Sequence, residues 1–312
     1  MASTWDISFQ RIEGAQPGAA ELLRLCAYLA PDDIPLSVLR TTEVELPEGL
    51  AEALKDEIGW DRVLGSLRVY SLVQQQEDGL RVHRLVQWVV RESLGTEQRK
   101  QWLATAIRLL IGVLPIEVWD PKQWPLGARL LPHAHAAIGL LEDQQLEPEA
   151  MVLLLDRLGS YLQRRAYYAL ARPLFERALA IGERALGPEH SDTARALNGM
   201  AWLLRDQRQL VAARALPERA LAIREKVLGP DHPDTAHSLG SLGVLLVDQG
   251  ELTAARPLHE RALAIREKVL GPDHPDTARS LNHLAWLLRK QGELGVARPL
   301  VDGAFLLAQS RR

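Results

Sequence analysis

A block of thirteen residues recurs along this chain at a fixed interval, and nothing else in the sequence restricts the fold as much. ALGPEHSDTARAL begins at Ala185, VLGPDHPDTAHSL at Val227 and VLGPDHPDTARSL at Val269, a step of 42 residues each time. The text between the blocks repeats as well: ARPLFERALAIGERALG, ARALPERALAIREKVLG and ARPLHERALAIREKVLG. A partial copy, ARPLVDGAFLLAQ, follows the last block, and a degenerate first unit starts near Met151 with LLLDRLGSYLQRRA. Self-similarity at such a period marks a solenoid, in which each unit buries its apolar face only against its neighbours. We therefore expect about four helix pairs over residues 151–312.

Each unit reads as two helices. Ala236, Leu239, Leu242, Gly243 and Leu246 recur at steps of three and four, one apolar stripe, and Gly250 breaks it. Ala254, Ala255, Leu258, Ala262, Leu263 and Ile265 mark the second helix, which Gly271-Pro272 stops. Pro275 then fits the first position of the next helix, where a missing N–H costs nothing, and Asp276 faces the positive end of its dipole. His190, His232 and His274 stand one per repeat. Stacked helices lie about 10 Å apart, too far for histidines in neighbouring repeats to share a zinc ion at about 2.1 Å. They are expected to pack or cap the loops. Pro217 occupies the position of Phe175 and His259, inside a helix, where proline removes a backbone bond and kinks the chain. The expectation there is a bend, or a helix start displaced to near Leu216.

Small residues recur where paired helices must interlock: Gly159, Ala201, Gly243 and Ala285 on first helices, and Ala178, Ala220, Ala262 and Ala304 on second helices. This pattern, with the text ALAIREKVLGPDHPDTARSLN, resembles the tetratricopeptide repeats of kinesin light chains. The resemblance implies a concave groove lined by the first helices. Arg195, Asn198, Trp202 and Arg205 would line it in one unit, His237 in the next, and Arg279, Asn282, Trp286 and Arg289 in the one after. In related repeats an asparagine at the place of Asn198 and Asn282 binds the backbone of an extended peptide, since an amide donates and accepts at once. Asp156 and Gly240 interrupt that ladder. For Trp202 and Trp286 two roles stay open, binding anchors or packing between neighbouring helices. The arginines imply a preference for an acidic protein or peptide, with a solvated basic face as the alternative.

The first ninety-five residues differ in character. Residues 1–150 carry 14 basic and 22 acidic side chains, whereas residues 151–312 carry 23 and 18, and six of the eight tryptophans lie before residue 125. AAELLRLCAYLAP reads as an amphipathic helix stopped by Pro31, and Pro35 as a helix start. Asp61–Tyr70 and His83–Leu94 read as further helices. Between the last two, Leu72 and Val73, an Asp78-Gly79 turn, then Leu80 and Val82 make a short hairpin. The segments LLRLCAYLAPDDIPLSVL, RVYSLVQ and GLRVHRLVQWVVRESL resemble the winged-helix region that follows the nucleotide-binding module in bacterial NB-ARC (STAND-type) ATPases, where tetratricopeptide repeats often come next. The fold expected is mainly α: a winged-helix-like domain with a small β-hairpin over 1–95, a helical linker over 96–150, and an α-α superhelix over 151–312.

By that resemblance His83 matches a histidine that contacts the ADP phosphate, a role that needs an ATPase module. The sequence has no G-x-x-x-x-G-K-[ST] phosphate loop, so it resembles the C-terminal part of a larger switch, with an NB-ARC module as the implied partner. No nucleophile elbow and no His-Glu-x-x-His is present, and the chain reads as a binding module without cofactor or metal, not as an enzyme. A DNA-binding winged helix is the alternative. Nine basic residues against 15 acidic ones in residues 1–95 argue against it, as phosphate binding needs a basic face. A single cysteine, Cys26, in the apolar run LLRLCAYLA is expected in the core. No apolar run reaches the roughly 20 residues of a membrane span. With MASTWDISFQ lacking a signal-peptide pattern, a cytoplasmic protein is the expectation.

Overall fold

The computed structural model describes residues 9, 11–41, 44–114, 121–140 and 147–309. The fold is mainly α with one small sheet. The chain divides into two compact units, Met1–Arg164 and Arg165–Arg312.

The first unit is built around α1 (Pro17–Cys26), a helix of alanines and leucines buried on nearly every side. Helices α3 (Glu48–Ala53), α4 (Glu57–Val69), α5 (Arg84–Ser93) and α6 (Thr96–Val113) pack against it. The approach of α3 is close because glycine meets glycine: a Cβ on Gly18 would lie 2.5 Å from the Gly49 carbonyl oxygen. The free carbonyls at the end of α1 are capped from α5. Gln87 Nε2 donates to Cys26 O at 2.8 Å and Leu29 O at 3.0 Å, and Arg91 donates to Ala27 O. Cys26 is fully buried, as expected, and desolvation pushes its thiol up to about 12.

The hairpin is present, with a different turn and a partner the sequence did not announce. Strands β2 (Gln74–Gln75) and β3 (Gly79–Arg81) pair antiparallel, and β3 also pairs with β1 (Ile34–Pro35), giving the order β1-β3-β2. The turn covers Glu77-Asp78, closed by Gln76 N–H donating to Gly79 O at 2.8 Å, and not Asp78-Gly79. Gly79 is drawn into β3 by its neighbour: a Cβ there would lie 3.2 Å from the Ile34 carbonyl oxygen. Pro35 ends β1 and caps the short α2 (Leu36–Leu39).

Helices α7 (Trp124–Gly139) and α8 (Pro148–Arg164) complete this unit. Arg129 on α7 reaches Asp33 through two bonds of 2.7 and 3.0 Å and Asp78 through two, to its carboxylate at 2.6 Å and its carbonyl at 3.1 Å, fixing the helix beside the hairpin. The Tyr161 ring of α8 crosses Gly127 so closely that a Cβ would meet it at 2.4 Å. The helices of residues 96–150 thus pack as part of this unit.

The second unit is a stack of seven helices: α9 (Tyr168–Ile181), α10 (Ser191–Asp206), α11 (Leu210–Val227), α12 (Pro233–Gln249), α13 (Leu252–Leu270), α14 (Pro275–Gln291) and α15 (Leu294–Gln309). First helices α10, α12 and α14 lie side by side; α11 and α13 each pack on their own first helix and on the next one, while α9 packs on α10 and α15 on α14. The small side chains Ala201, Ala220, Ala262 and Ala285 are buried where the helices interlock, while the Ala304 side chain lies outside the described residues.

The loop block works as punctuation, residue by residue. Gly187, Gly229 and Gly271 take positive φ after the second helices. The histidines are N-caps: the Nδ1 of His190, His232 and His274 accepts from the backbone N–H two residues on, at 3.1–3.2 Å. Thr193, Thr235 and Thr277 each return a 2.8 Å bond to the carbonyl of the loop glycine. Capping therefore explains the periodic histidines.

The displaced helix start expected at Pro217 is not found. α11 runs unbroken from Leu210. Its first turns are held by tertiary contacts: Gln249 Nε2 donates to Leu210 O at 3.1 Å, and Pro217 is buried. Pro173, Pro257 and Pro299 likewise sit inside their helices. One missing backbone bond in the early turns is thus common to all four second helices.

Candidate functional site

The residues expected to line the groove separate into two sets. The first set comprises Asn198, Trp202 and Arg205 on α10, and it faces the next helix. Asn198 is 1% exposed, and its Nδ2 donates to Ser238 Oγ at 2.9 Å. Trp202 Nε1 donates to Ser241 Oγ at 3.2 Å, and Arg205 pairs with Asp248 while its guanidinium lies 5.1 Å over the Trp202 ring. These three side chains stitch α10 to α12. Trp202 is half-buried, with its indole N–H bonded to the next first helix. The expectation that Asn198 presents its amide to a ligand is corrected for the same reason, since the next repeat already covers that amide. On α14, Asn282 and Arg289 are exposed, and Trp286 is half-buried against the leucines of α14 and its neighbours.

The second set, Arg195, His237 and Arg279, holds one repeat position on three successive first helices. Arg195 is fixed by Asp192 at 3.1 Å and Arg279 by Asp276 at 2.8 Å, each one turn away. Behind them lie two arginines that the sequence reading passed over. Arg224 and Arg266, each 1% exposed, end the second helices. Arg224 Nη1 donates to Asp234 O at 2.8 Å, Ser238 Oγ at 3.1 Å and His237 Nδ1 at 3.2 Å. Arg266 Nη1 donates to Asp276 O at 3.2 Å and Ser280 Oγ at 2.6 Å. Burial pushes the Arg266 guanidinium down to about 10, with Arg279 adding to the effect.

His237 sits among these charges. Desolvation, then Arg224, Arg279, Arg266 and Arg195, hold its imidazole well below the usual histidine range, so it is neutral and can accept from Arg224. Four guanidiniums gather around it, with the first-turn carboxylates Asp192 and Asp276 paired to Arg195 and Arg279.

A signal for the buried arginines was available in the repeat. Arg224 stands fourteen residues before Ser238, and Arg266 fourteen before Ser280; in the preceding unit the pair becomes Gly182 and Ala196. Arginine and its serine acceptor appear and disappear together.

Two further histidines missed at that stage meet at the α12–α13–α14 junction. His259 presses on Gly243, where a Cβ would lie 2.7 Å from its ring, and its ring centroid lies 5.7 Å from that of His283. Burial pushes the His259 imidazole down to about 4 and also lowers that of His283. In the first unit, His83 is committed to its own helix: its Nδ1 caps α5 by accepting from Leu85 N–H at 3.1 Å.

Residues 149–302 match a tetratricopeptide repeat model in three overlapping stretches, 149–226, 203–268 and 242–302. Residues 10–99 match a domain of unknown function, DUF7779. A nucleotide-binding leucine-rich repeat (NLR)-like protein of Hyaloscypha variabilis is 30% identical over 199 residues, 63% of this chain but 19% of that protein. The chain thus spans about a fifth of the length of the curated relative it matches. Among solved structures, BtubC (BKLC) from P. vanneervenii superposes with a TM-score of 0.50 at 19% identity, covering 69% of this chain and 81% of its own. A putative kinesin light chain from Podosopora anserina, with nearly identical TPR-like repeats, reaches 0.45 at 24% identity over 62% of this chain and 97% of its own. No described helix is long and apolar enough to cross a membrane.

Proposed function

We propose that this chain is the protein-binding sensor part of a STAND-type signalling protein, and that its repeats take an acidic protein or peptide. The carrying observation is the line Arg195–His237–Arg279 across three first helices, backed by the buried Arg224 and Arg266. Guanidiniums on successive helices suit a carboxylate-bearing partner, since they donate paired, charge-assisted hydrogen bonds. The position of a winged-helix-like segment ahead of the repeats, and the NLR-like relative, support a role beside a nucleotide-binding module. In that setting the first unit would relay binding at the repeats, in the cytoplasm, by binding and not by catalysis.

The test is titration of the full chain with fluorescent peptides rich in Asp and Glu, beside neutral peptides of equal length. Acidic peptides should bind with an affinity that falls as salt rises, and Arg279→Glu should weaken them about tenfold or more. Equal binding of both peptide classes, or an unchanged affinity in Arg279→Glu, overturns the reading.

A further inference from the structure

At the α12–α13–α14 junction the repeat departs from its neighbours at four positions at once. His259 stands where other units have Phe175, Pro217 and Val301, and His283 where they have Gly199 and Ser241. Gly240 takes the place of Asn198 and Asn282, and Gly243 that of Ala201 and Ala285. The changes belong together. The two glycines lie one turn apart on one face of α12, and the two rings lie against that face. A Cβ on Gly243 would lie 2.8 Å from His259 Nε2, and one on Gly240 3.7 Å from His283 Nδ1. Both nitrogens are buried, and neither has a hydrogen-bond partner among the described residues. Native proteins leave few buried polar atoms in that state without a water or an ion to satisfy them. The tautomer of His259 suits an ion. Its ring is hydrogen-bonded to the Gly243 backbone, a bond that raises its basicity. With Nε2 unpartnered, the ring donates there through Nδ1, and the lone pair falls on Nε2.

We propose that His259 Nε2 and His283 Nδ1 together hold one copper(I) ion between α13 and α14. A metal about 2 Å from a ring nitrogen lies roughly 3 Å from the ring centroid, so two rings sharing one ion have centroids at most roughly 6 Å apart. The observed separation is 5.7 Å. Ligand number selects the ion. Among the described residues no His, Cys, Asp and Glu side chains gather in a group of three or more that could hold a metal. Zinc sites take four ligands, whereas a soft monovalent d10 ion accepts two. Charge selects it too. Arg279, Arg266 and Arg205 act on His283, so a single positive charge is opposed less than a double one. Both rings are neutral at pH 7, the form that binds a metal. His283 is half-buried and gives the ion a way in. The site does not depend on the acidic ligand proposed for the Arg195–His237–Arg279 line.

The probe is copper(I) itself, kept reduced by ascorbate without oxygen and titrated into the full chain against a chromogenic copper(I) chelator. Silver(I) serves as a second, redox-inert probe and zinc as the control. Binding of one equivalent at the junction is expected, with a melting temperature that rises as free copper(I) rises. Two substitutions restore residues that the repeat itself carries at these positions. His259→Phe gives the side chain of Phe175, whose unit also has a glycine, Gly159, at the place of Gly243, and His283→Ser gives that of Ser241. Each should weaken copper(I) about a hundredfold or more, the upper end of what the loss of even a supporting partner costs. Melting of the metal-free variants checks that they fold. X-ray absorption of the loaded wild type should show nitrogen ligands and no sulfur, which separates this site from the Cys26 thiol. The proposal is overturned by absence of binding, by an affinity that either folded variant leaves unchanged, by a sulfur-ligated spectrum, or by zinc binding as tightly as copper(I).

Discussion

At the scale of single residues, identical side chains do different work because their neighbours differ. Asn198 is covered by α12, whereas Asn282, its equivalent two repeats on, is exposed. Asn198→Ala should therefore destabilise the protein by about 1–2 kcal/mol, the range for a buried hydrogen bond with one partner removed. Asn282→Ala should stay within about 0.5 kcal/mol. Urea unfolding of the two variants compares them directly, and equal losses would show that the stitch is not what holds Asn198. Gly243 offers a second case, since a methyl group there meets the His259 ring. Gly243→Ala should cost about 1–3 kcal/mol through overpacking, read as a lower melting temperature. The same histidine makes stability depend on pH. Its folded value of about 4 lies below the ordinary 6.5, so the unfolded chain binds more protons between these limits. Stability is fully present above about pH 6.5 and falls with acid, by up to about 1.4 kcal/mol per pH unit for this group. His237 and His283, also lowered, act in the same direction. Melting curves at pH 7 and pH 5 should show the loss, and His259→Phe should reduce it.

At the scale of helices and loops, the block GPDHPDT was legible almost completely. Its glycine, prolines and aspartate match rules for ending one helix and starting the next. The use of histidine as the N-cap follows from Nδ1 reaching the N–H two residues ahead, the geometry usually supplied by Asp or Ser. His274→Ala should cost about 1 kcal/mol, and His274→Asp should restore most of it, as measured by thermal melting. The displaced start expected at Pro217 does not occur, because proline rules describe isolated helices. Here the first turns of α11 are anchored by Gln249 and by burial of the proline ring. The hairpin turn was misplaced by one residue for a similar reason. Asp-Gly is a local turn signal, but β1, whose Pro35 pairs with Gly79 across forty-four residues of sequence, draws Gly79 into the sheet.

At the scale of the repeat unit as a whole, ion pairs recur with the period of the sequence. Arg219–Glu183 and Arg261–Glu225 are one series, at 2.8 and 2.6 Å, and Lys226–Glu189 and Lys268–Asp231 are another, at 2.6 and 2.8 Å. Each joins one second helix or its loop to the next repeat. They are exposed or half-exposed, so each contributes little and is screened by salt. Raising salt from about 0.05 to about 0.5 M should therefore leave the repeat melting temperature nearly unchanged, while the affinity for an acidic peptide falls. A large drop in melting temperature would mean that these pairs, and not the buried alanines and leucines, hold the stack together.

The sequence by itself determined the helix pairs, their caps and the positions where helices touch. Those depend on periodicity, on backbone propensities and on side-chain size, all of which act over a few residues and repeat every 42. Only the tertiary structure decided which face each helix shows. Asn198, Trp202 and Arg205 look the same in sequence whether they meet a ligand or the next helix, and the choice follows from how neighbouring first helices rotate as they stack. The same stacking buried Arg224 and Arg266 behind His237 and gathered Arg195 and Arg279 around it. No single repeat contains that cluster of charge, since its members come from successive repeats brought together by packing.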